Sequence, residues 1–199
     1  MTGGRIAVFL DRDGTLNEEV EFVRTPEELR LIPGAAGAVR TLNALGVITC
    51  IISNQSGVAR GIITEADLVP VHAKLKDELR KEGARLDAIY YCPHHPTEGI
   101  PPFRIDCECR KPGPGMLLRA RGEFTLDLGR SFVVGDRLAD IQAGKAVGAT
   151  TVLVLTGYGT VTAGECRQEQ VVPDCIAPSI VEAVRFVQEQ ISKEQASHE

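Results

Sequence analysis

Short β-branched apolar runs alternate along this chain with amphipathic stretches, and each of the first four runs ends in a compact polar cluster. Strands buried on both faces read as continuous apolar runs, so this alternation is the pattern of a parallel sheet whose strands are joined by helices. Strands are predicted at Ile6–Leu10, Val47–Ser53, Ala88–Cys92, Ser131–Val134 and Thr150–Leu155, with a weak sixth near Asp174–Ala177. Helices fit Pro33–Leu45, Thr64–Glu82, Pro114–Phe124, Leu138–Val147 and Ser179–Ser192. In the second of these, Thr64 can cap with Asp67, and Leu68, Val71, Leu75 and Leu79 recur at helical spacing before Gly83 stops it. Pro70 removes an intrahelical bond, so a kink or a later start is expected there. The expected fold class is α/β: a Rossmann-like parallel sheet with helices on both faces. The 199 residues make a single domain, with a loop insertion at 92–109 and a polar tail at 192–199 that should fray.

Composition excludes several functions. A net charge of −5, no Trp and only three Tyr argue against a nucleic-acid surface. No stretch approaches the ~20 apolar residues of a membrane span, and Met1–Arg5 lacks a signal peptide's basic start and apolar run. The expected setting is the cytoplasm, with no nucleic-acid or membrane partner. Of the six cysteines, Cys92, Cys107 and Cys109 cluster near His94, whereas Cys50, Cys166 and Cys175 are scattered, which favours a metal over a disulfide framework.

Ligands of open parallel sheets bind beyond the carboxyl ends of the strands. Those ends carry "DRDGT" (Asp11–Thr15), "SNQSG" (Ser53–Gly57), the Cys/His loop with "CRKP" (Cys109–Pro112), and "GDRLAD" (Gly135–Asp140). Asp11 and Asp13 alternate at a strand end and can face one ligand. With Asp136 they make an all-oxygen site suited to Mg²⁺. A hard cation beside Ser53, Asn54 and Lys111 describes phosphoryl transfer, in which Asp11 could attack phosphorus and Asp13 could carry the proton. Taken alone, D-R-D-G could be merely a strand-ending turn; the clusters after successive strands favour chemistry.

Read in order, "FLDRDGTLN", "SNQSGVARG", "CRKPGPGM" and "VVGDRLADIQAG" resemble the motifs of the haloacid-dehalogenase (HAD) superfamily phosphatases, from about Arg5 to Tyr158. The Cys/His loop narrows the resemblance to the heptose-bisphosphate phosphatases and, more distantly, to the histidinol-phosphatase domain. The resemblance implies Asp11 as nucleophile and Mg²⁺ ligand, Asp13 as general acid/base and Mg²⁺ ligand through its carbonyl, and Asp136 as the remaining ligand. It implies Ser53 and Lys111 on the phosphoryl group and Arg110 on the sugar or its second phosphate. Arg137 stands where relatives often carry lysine, and Glu19, Val20, Glu21 and Phe22 replace an Asp-His-Gly-Tyr-like segment. These, with Asn54, Gln55 and Ser56, are the expected substrate contacts. No large insertion separates the motifs, so no cap domain is expected.

Cys92, His94, Cys107 and Cys109 form C-x-H, twelve residues, then C-x-C, a four-ligand set for structural Zn²⁺; His94 is chosen over His95 by resemblance and spacing. Cys109 immediately precedes Arg110 and Lys111, so the metal would clamp both cations. Asp140 could be a fourth acidic ligand or a partner of Lys111, the latter being favoured, and Arg60 stays open between surface charge and phosphate contact. His72 reads as a half-buried packing residue. The implied activity is that of a monomeric sugar-bisphosphate phosphatase in nucleotide-activated heptose synthesis, for lipopolysaccharide core or S-layer glycan. The rivals are a histidinol-phosphate phosphatase and a non-catalytic zinc-ribbon module.

Overall fold

In the computed structural model, which describes residues 4–196, six parallel strands make one sheet: β1 (Ala7–Leu10), β2 (Ile48–Asn54), β3 (Ala88–Cys92), β4 (Phe132–Gly135), β5 (Thr150–Val154) and β6 (Cys175–Ala177). Their spatial order is β3-β2-β1-β4-β5-β6. The helices are α1 (Ala35–Ala44), a single turn α2 (Ser56–Ala59), α3 (Glu65–Lys81), α4 (Gly115–Phe124), α5 (Leu138–Ala146), α6 (Gly159–Gln168) and α7 (Ile180–Ala196). Short 3-10 turns lie at Pro26–Glu28 and Leu128–Arg130.

Alternation along β1 builds two cores. Val8 and Leu10 pack on one face with residues of α1, α3 and α7, while Ala7 and Phe9 pack on the other with Met116, Leu117 and Ala120 of α4. Because both faces are covered, the strand shows no polar alternation.

The α3 helix starts at Glu65 despite Pro70, so the expected later start is not observed. The Thr64 hydroxyl accepts from the Asp67 amide at 3.2 Å and the Asp67 carboxylate accepts from the Thr64 amide at 2.8 Å. An interior proline costs ~3 kcal/mol. Burial of Leu68, Val71, Leu75 and Leu79, at ~1.5–3 kcal/mol each, more than offsets it.

Two further differences have physical causes. The helix predicted to end at Ser192 runs to Ala196, so the tail is helical through that residue; its last turn is pinned by an ion pair between Glu194 and Arg130. Ser197–Glu199, including His198, lie outside the described residues. The sequence also gave no warning of α6, whose run "GTVTAGECRQ" has two threonines and two glycines and buries only Gly159, Thr162 and Cys166. The strand order reverses between β1 and β4, where chain crossings diverge and a crevice opens at the strands' carboxyl ends. Asp11 follows β1 and Asp136 follows β4, so both aspartates stand at that crevice.

Candidate active site

A cleft of about 510 Å³ lies over this crevice. Asp11, Asp13, Ser53, Lys111, Arg110 and Arg137 all border it, although they come from four different strand ends. Lys111 is buried at its floor and uses its three ammonium hydrogens fully: Nζ lies 2.9 Å from Asp11 Oδ1, 2.5 Å from Asp140 Oδ1 and 2.8 Å from the Ile52 carbonyl oxygen. Burial alone would lower its pKa, but the Asp11 and Asp140 carboxylates override that and raise it. The lysine is therefore a fixed charge. Asp140 also accepts from the Arg137 amide at 3.0 Å, so it is the orienting partner of Lys111.

Asn54 fixes the backbone beside that lysine. Its side-chain amide donates to the Lys111 carbonyl and its oxygen accepts from the Lys111 N–H, each at 3.0 Å.

Three buried carboxylates, Asp11, Asp136 and Asp140, bring oxygens within 4.8 Å of one another. Burial pushes Asp11 well above the usual carboxylate range, against Lys111 and with the charges of Asp140, Asp136 and Asp13. Burial likewise pushes Asp136 up to about 7, although the Tyr158 N–H donates to its Oδ2 at 2.7 Å. Asp136 Oδ1 is buried and finds no hydrogen-bond partner among the described residues. An orphaned oxygen aimed into an acidic cluster fits a hard divalent cation, which would satisfy the oxygen and the repulsion together. Gly14, at φ 76°, crosses directly over this carboxylate, and a Cβ there would overlap it.

The sign of the linkage follows from these carboxylates. Between the ordinary value of 3.8 and about 7, folded Asp136 holds a proton that the unfolded chain has released. The metal-free protein should therefore lose stability as pH rises through that window, by at most about 1.4 kcal/mol per pH unit for this group. Thermal melts of zinc-loaded protein freed of Mg²⁺ by dialysis, with no chelator present, should show Tm falling from pH 4 to 7, with Mg²⁺ restoring it at pH 7. A flat profile indifferent to Mg²⁺ would contradict this account.

Asp13 has a different environment. Its Oδ1 accepts from Arg12 Nε at 3.0 Å and Asn17 Nδ2 at 2.9 Å, and its Oδ2 from Arg12 Nη2 at 2.9 Å and Gln55 Nε2 at 3.0 Å. Burial would raise its pKa, but the Arg12 charge and these hydrogen bonds together lower it. Neither Arg12 nor Asn17 was singled out from the sequence. An arginine between two aspartates in a turn reads as surface charge, yet Arg12 is 0% exposed.

The structure differs from expectation at two proposed substrate contacts. Val20 is 44% exposed and does not border the cleft. Gln55 is buried, with its amide donating to Asp13 and to Ser53 Oγ at 2.8 Å and its oxygen accepting from Arg12 at 3.1 Å. Glu19, Glu21, Phe22, Asn54 and Ser56 do border it, as do Arg60, Tyr158 and Glu165. Burial raises the pKa of Glu19, with the Asp13 charge adding to it. The Arg137 guanidinium lies 3.3 Å from the centre of the Tyr158 ring, a cation–π contact. Tyr158 and Glu165 arrive with α6, the helix the sequence concealed.

The Cys/His loop leads directly into Arg110 and Lys111, which border the cleft. His94 Nδ1 lies 3.7, 3.2 and 3.4 Å from the sulfurs of Cys92, Cys107 and Cys109, and the sulfurs lie 3.0–3.5 Å apart. Four soft donors converging on one point fit a tetrahedral Zn²⁺ site with no open position. His95 turns away, its Nδ1 accepting from the Glu98 amide at 3.0 Å. The loop reaches the site through the Arg110 guanidinium, which donates to the His94 carbonyl at 3.0 Å. An Arg60–Glu98 ion pair and the Ile100 N–H on the Ala59 carbonyl dock the loop on α2.

Known proteins resemble this chain at the level of both sequence and fold. The family Hydrolase_like, described as HAD-hyrolase-like, matches residues 108–183. A D-glycero-beta-D-manno-heptose-1,7-bisphosphate 7-phosphatase of Rhodopseudomonas palustris is 49% identical over 144 residues, covering 72% of this chain and 80% of that protein. The protein of the same name from Escherichia coli K12 is 44% identical over 152 residues, covering 76% and 80%. The crystal structure of D,D-heptose 1.7-bisphosphate phosphatase from B. bronchiseptica, complexed with magnesium and phosphate, superposes with a TM-score of 0.82 at 32% identity, covering 93% of this chain and 99% of that one. An aspartate pair and a buried lysine at the switch point of a parallel sheet, together with these likenesses, lead to one conclusion: the chain belongs to the HAD-like hydrolases, in the family of the heptose-1,7-bisphosphate 7-phosphatases.

Proposed function

We propose that this chain is a cytoplasmic, monomeric, single-domain hydrolase without a cap. In this reading it removes the 7-phosphate from D-glycero-β-D-manno-heptose 1,7-bisphosphate. The observation that carries the reading is the Asp11–Lys111 pair at 2.9 Å on the floor of an open polar cleft, on a chain 49% identical to a phosphatase named for that substrate.

In the first step Asp11 attacks phosphorus, and the bond from phosphorus to the sugar oxygen breaks. Free Asp13 is ionised, so the proton it hands to that oxygen enters with the substrate's monoanionic phosphate, and the sugar 1-phosphate is released. In the second step water attacks the phosphoryl group on Asp11 and gives its proton to Asp13. The phosphorus–Asp11 bond then breaks and inorganic phosphate leaves. Ser53 and Lys111 hold the phosphoryl oxygens in both steps, Lys111 by turning to them the hydrogen that it gives Asp11 in the free site. Bound Mg²⁺, held by the Asp11 and Asp136 carboxylates and the Asp13 carbonyl, would neutralise phosphoryl charge and the repulsion among the carboxylates. Asp140 is committed to Lys111 and the Arg137 amide. Arg110 and Arg137 receive the remaining phosphate, and Glu19 and Glu21 accept from sugar hydroxyls. Zn²⁺ on Cys92, His94, Cys107 and Cys109 is structural.

Phosphate release from both anomers of the bisphosphate, with histidinol phosphate beside them, tests the assignment. The β anomer should show the highest kcat/KM, by at least about tenfold, a difference of ~1.4 kcal/mol at the transition state. A preference for histidinol phosphate would overturn the substrate reading.

A further inference from the structure

Arg12 is the largest side chain that the fold buries completely. A guanidinium cannot shed its charge, so burying one is costly unless every face is matched. Here the matching is lopsided toward one residue. Nε and Nη2 grip both oxygens of Asp13 as a fork, at 3.0 and 2.9 Å. The other edge is held from behind by the Gln55 side-chain oxygen at 3.1 Å and by His72 Nε2 at 3.3 Å from Nη1. His72 stands on α3, with its ring against Tyr91. It can accept from Arg12 only as neutral imidazole with its hydrogen on Nδ1.

The geometry points to Arg12 as a positioning residue: with His72 and Gln55 behind it, its fork fixes the plane and direction of the Asp13 carboxyl group for proton transfer. A two-point grip blocks rotation about the carboxyl bond, as a single hydrogen bond would not. Gln55 adds a second link, because the same amide nitrogen that donates to Asp13 also donates to Ser53 Oγ. The phosphoryl-holding hydroxyl and the proton carrier are thus set by one side chain. Arg12 is buried and does not border the cleft; whatever it does for turnover passes through Asp13.

The inference rests on the proposed role of Asp13, and a double-mutant cycle separates the two. Turnover is measured with the heptose bisphosphate, whose alkoxide leaving group needs a proton, together with fold and zinc content, for Arg12→Met, Arg12→Lys, Asp13→Asn and the Arg12→Met/Asp13→Asn double variant. Asp13→Asn should lower kcat by about 10²–10⁴-fold, the usual range for a general acid/base. Arg12→Met should lower kcat by about 10–100-fold with KM changed less than about twofold, and Arg12→Lys should recover part of it. In the Asp13→Asn background the Arg12→Met change should cost less than about twofold. If Asp13→Asn keeps full kcat, the role of Asp13 falls. If Asp13→Asn is impaired but the Arg12→Met loss persists undiminished beside it, the positioning role alone falls. Should Arg12→Met not fold, His72→Phe replaces it in the same cycle. It keeps a ring and removes the acceptor, and a kcat loss of about 3–10-fold that vanishes in Asp13→Asn is then the supporting result. Additive losses would overturn the inference.

Discussion

Replacing Asp11 with asparagine should reduce turnover by at least about 10⁴-fold while leaving the fold and the zinc content intact, because it removes a nucleophile that no neighbour can replace. The carboxylates nearby are otherwise engaged: Asp140 holds Lys111, Asp136 is bound to the Tyr158 amide, and Asp13 is gripped by Arg12. An amide of the same shape keeps a hydrogen-bond acceptor for Lys111 but can form no acyl phosphate. The substitution also removes one buried charge from a cluster whose mutual repulsion and burial raise the Asp11 pKa. The metal-free variant should therefore melt no lower than the metal-free parent at neutral pH. Phosphate release, circular dichroism and zinc analysis on one preparation check all three outcomes. Retained turnover would remove Asp11 from the mechanism.

Replacing Cys107 with serine should have the second largest effect, and it acts at a distance. Serine is a poor zinc ligand, so zinc should fall well below one per chain. The loop would then lose the constraint that places the His94 carbonyl, to which Arg110 donates, and that leads through Cys109 into Arg110 and Lys111. Lys111 itself stays partly held, because Asn54 grips its backbone independently at both the carbonyl and the N–H. The loss should therefore be unequal. KM for the bisphosphate should rise about tenfold or more through Arg110, and kcat should fall less, with p-nitrophenyl phosphate, which has no second phosphate, affected least. Zinc content measured beside the kinetics is the control. Full activity in a demonstrably zinc-free variant would contradict the clamp.

The parts of this protein that could be read without coordinates are those where local chemistry and global role agree. Five strands and five helices follow from apolar period and caps, as at Thr64 and Asp67. The polar clusters after the strands mark the catalytic edge because a parallel sheet offers no other. The four soft donors in the loop announce themselves by residue type. In each case the residue and its near neighbours carry the whole signal.

What escaped sequence reading lacks such a signal. The α6 helix has poor intrinsic propensity and holds together by burying Thr162 and Cys166 against its neighbours, so Tyr158 and Glu165 reach the cleft unannounced. Gln55 sits in a motif that borders the cleft, yet its side chain turns inward to Asp13 and Ser53. Arg12 looks like the solvated charge between two aspartates; its fork on Asp13 is local, but the partners that close its other edge come from α3 and the end of β2, far along the chain. The sequence by itself determined the sheet, the candidate acidic pair and the candidate set of soft donors, because periodicity and residue chemistry are local properties. Tertiary structure alone decided which charges are buried and whom each one faces, because the energy of a buried charge depends on partners that adjacency in sequence does not specify.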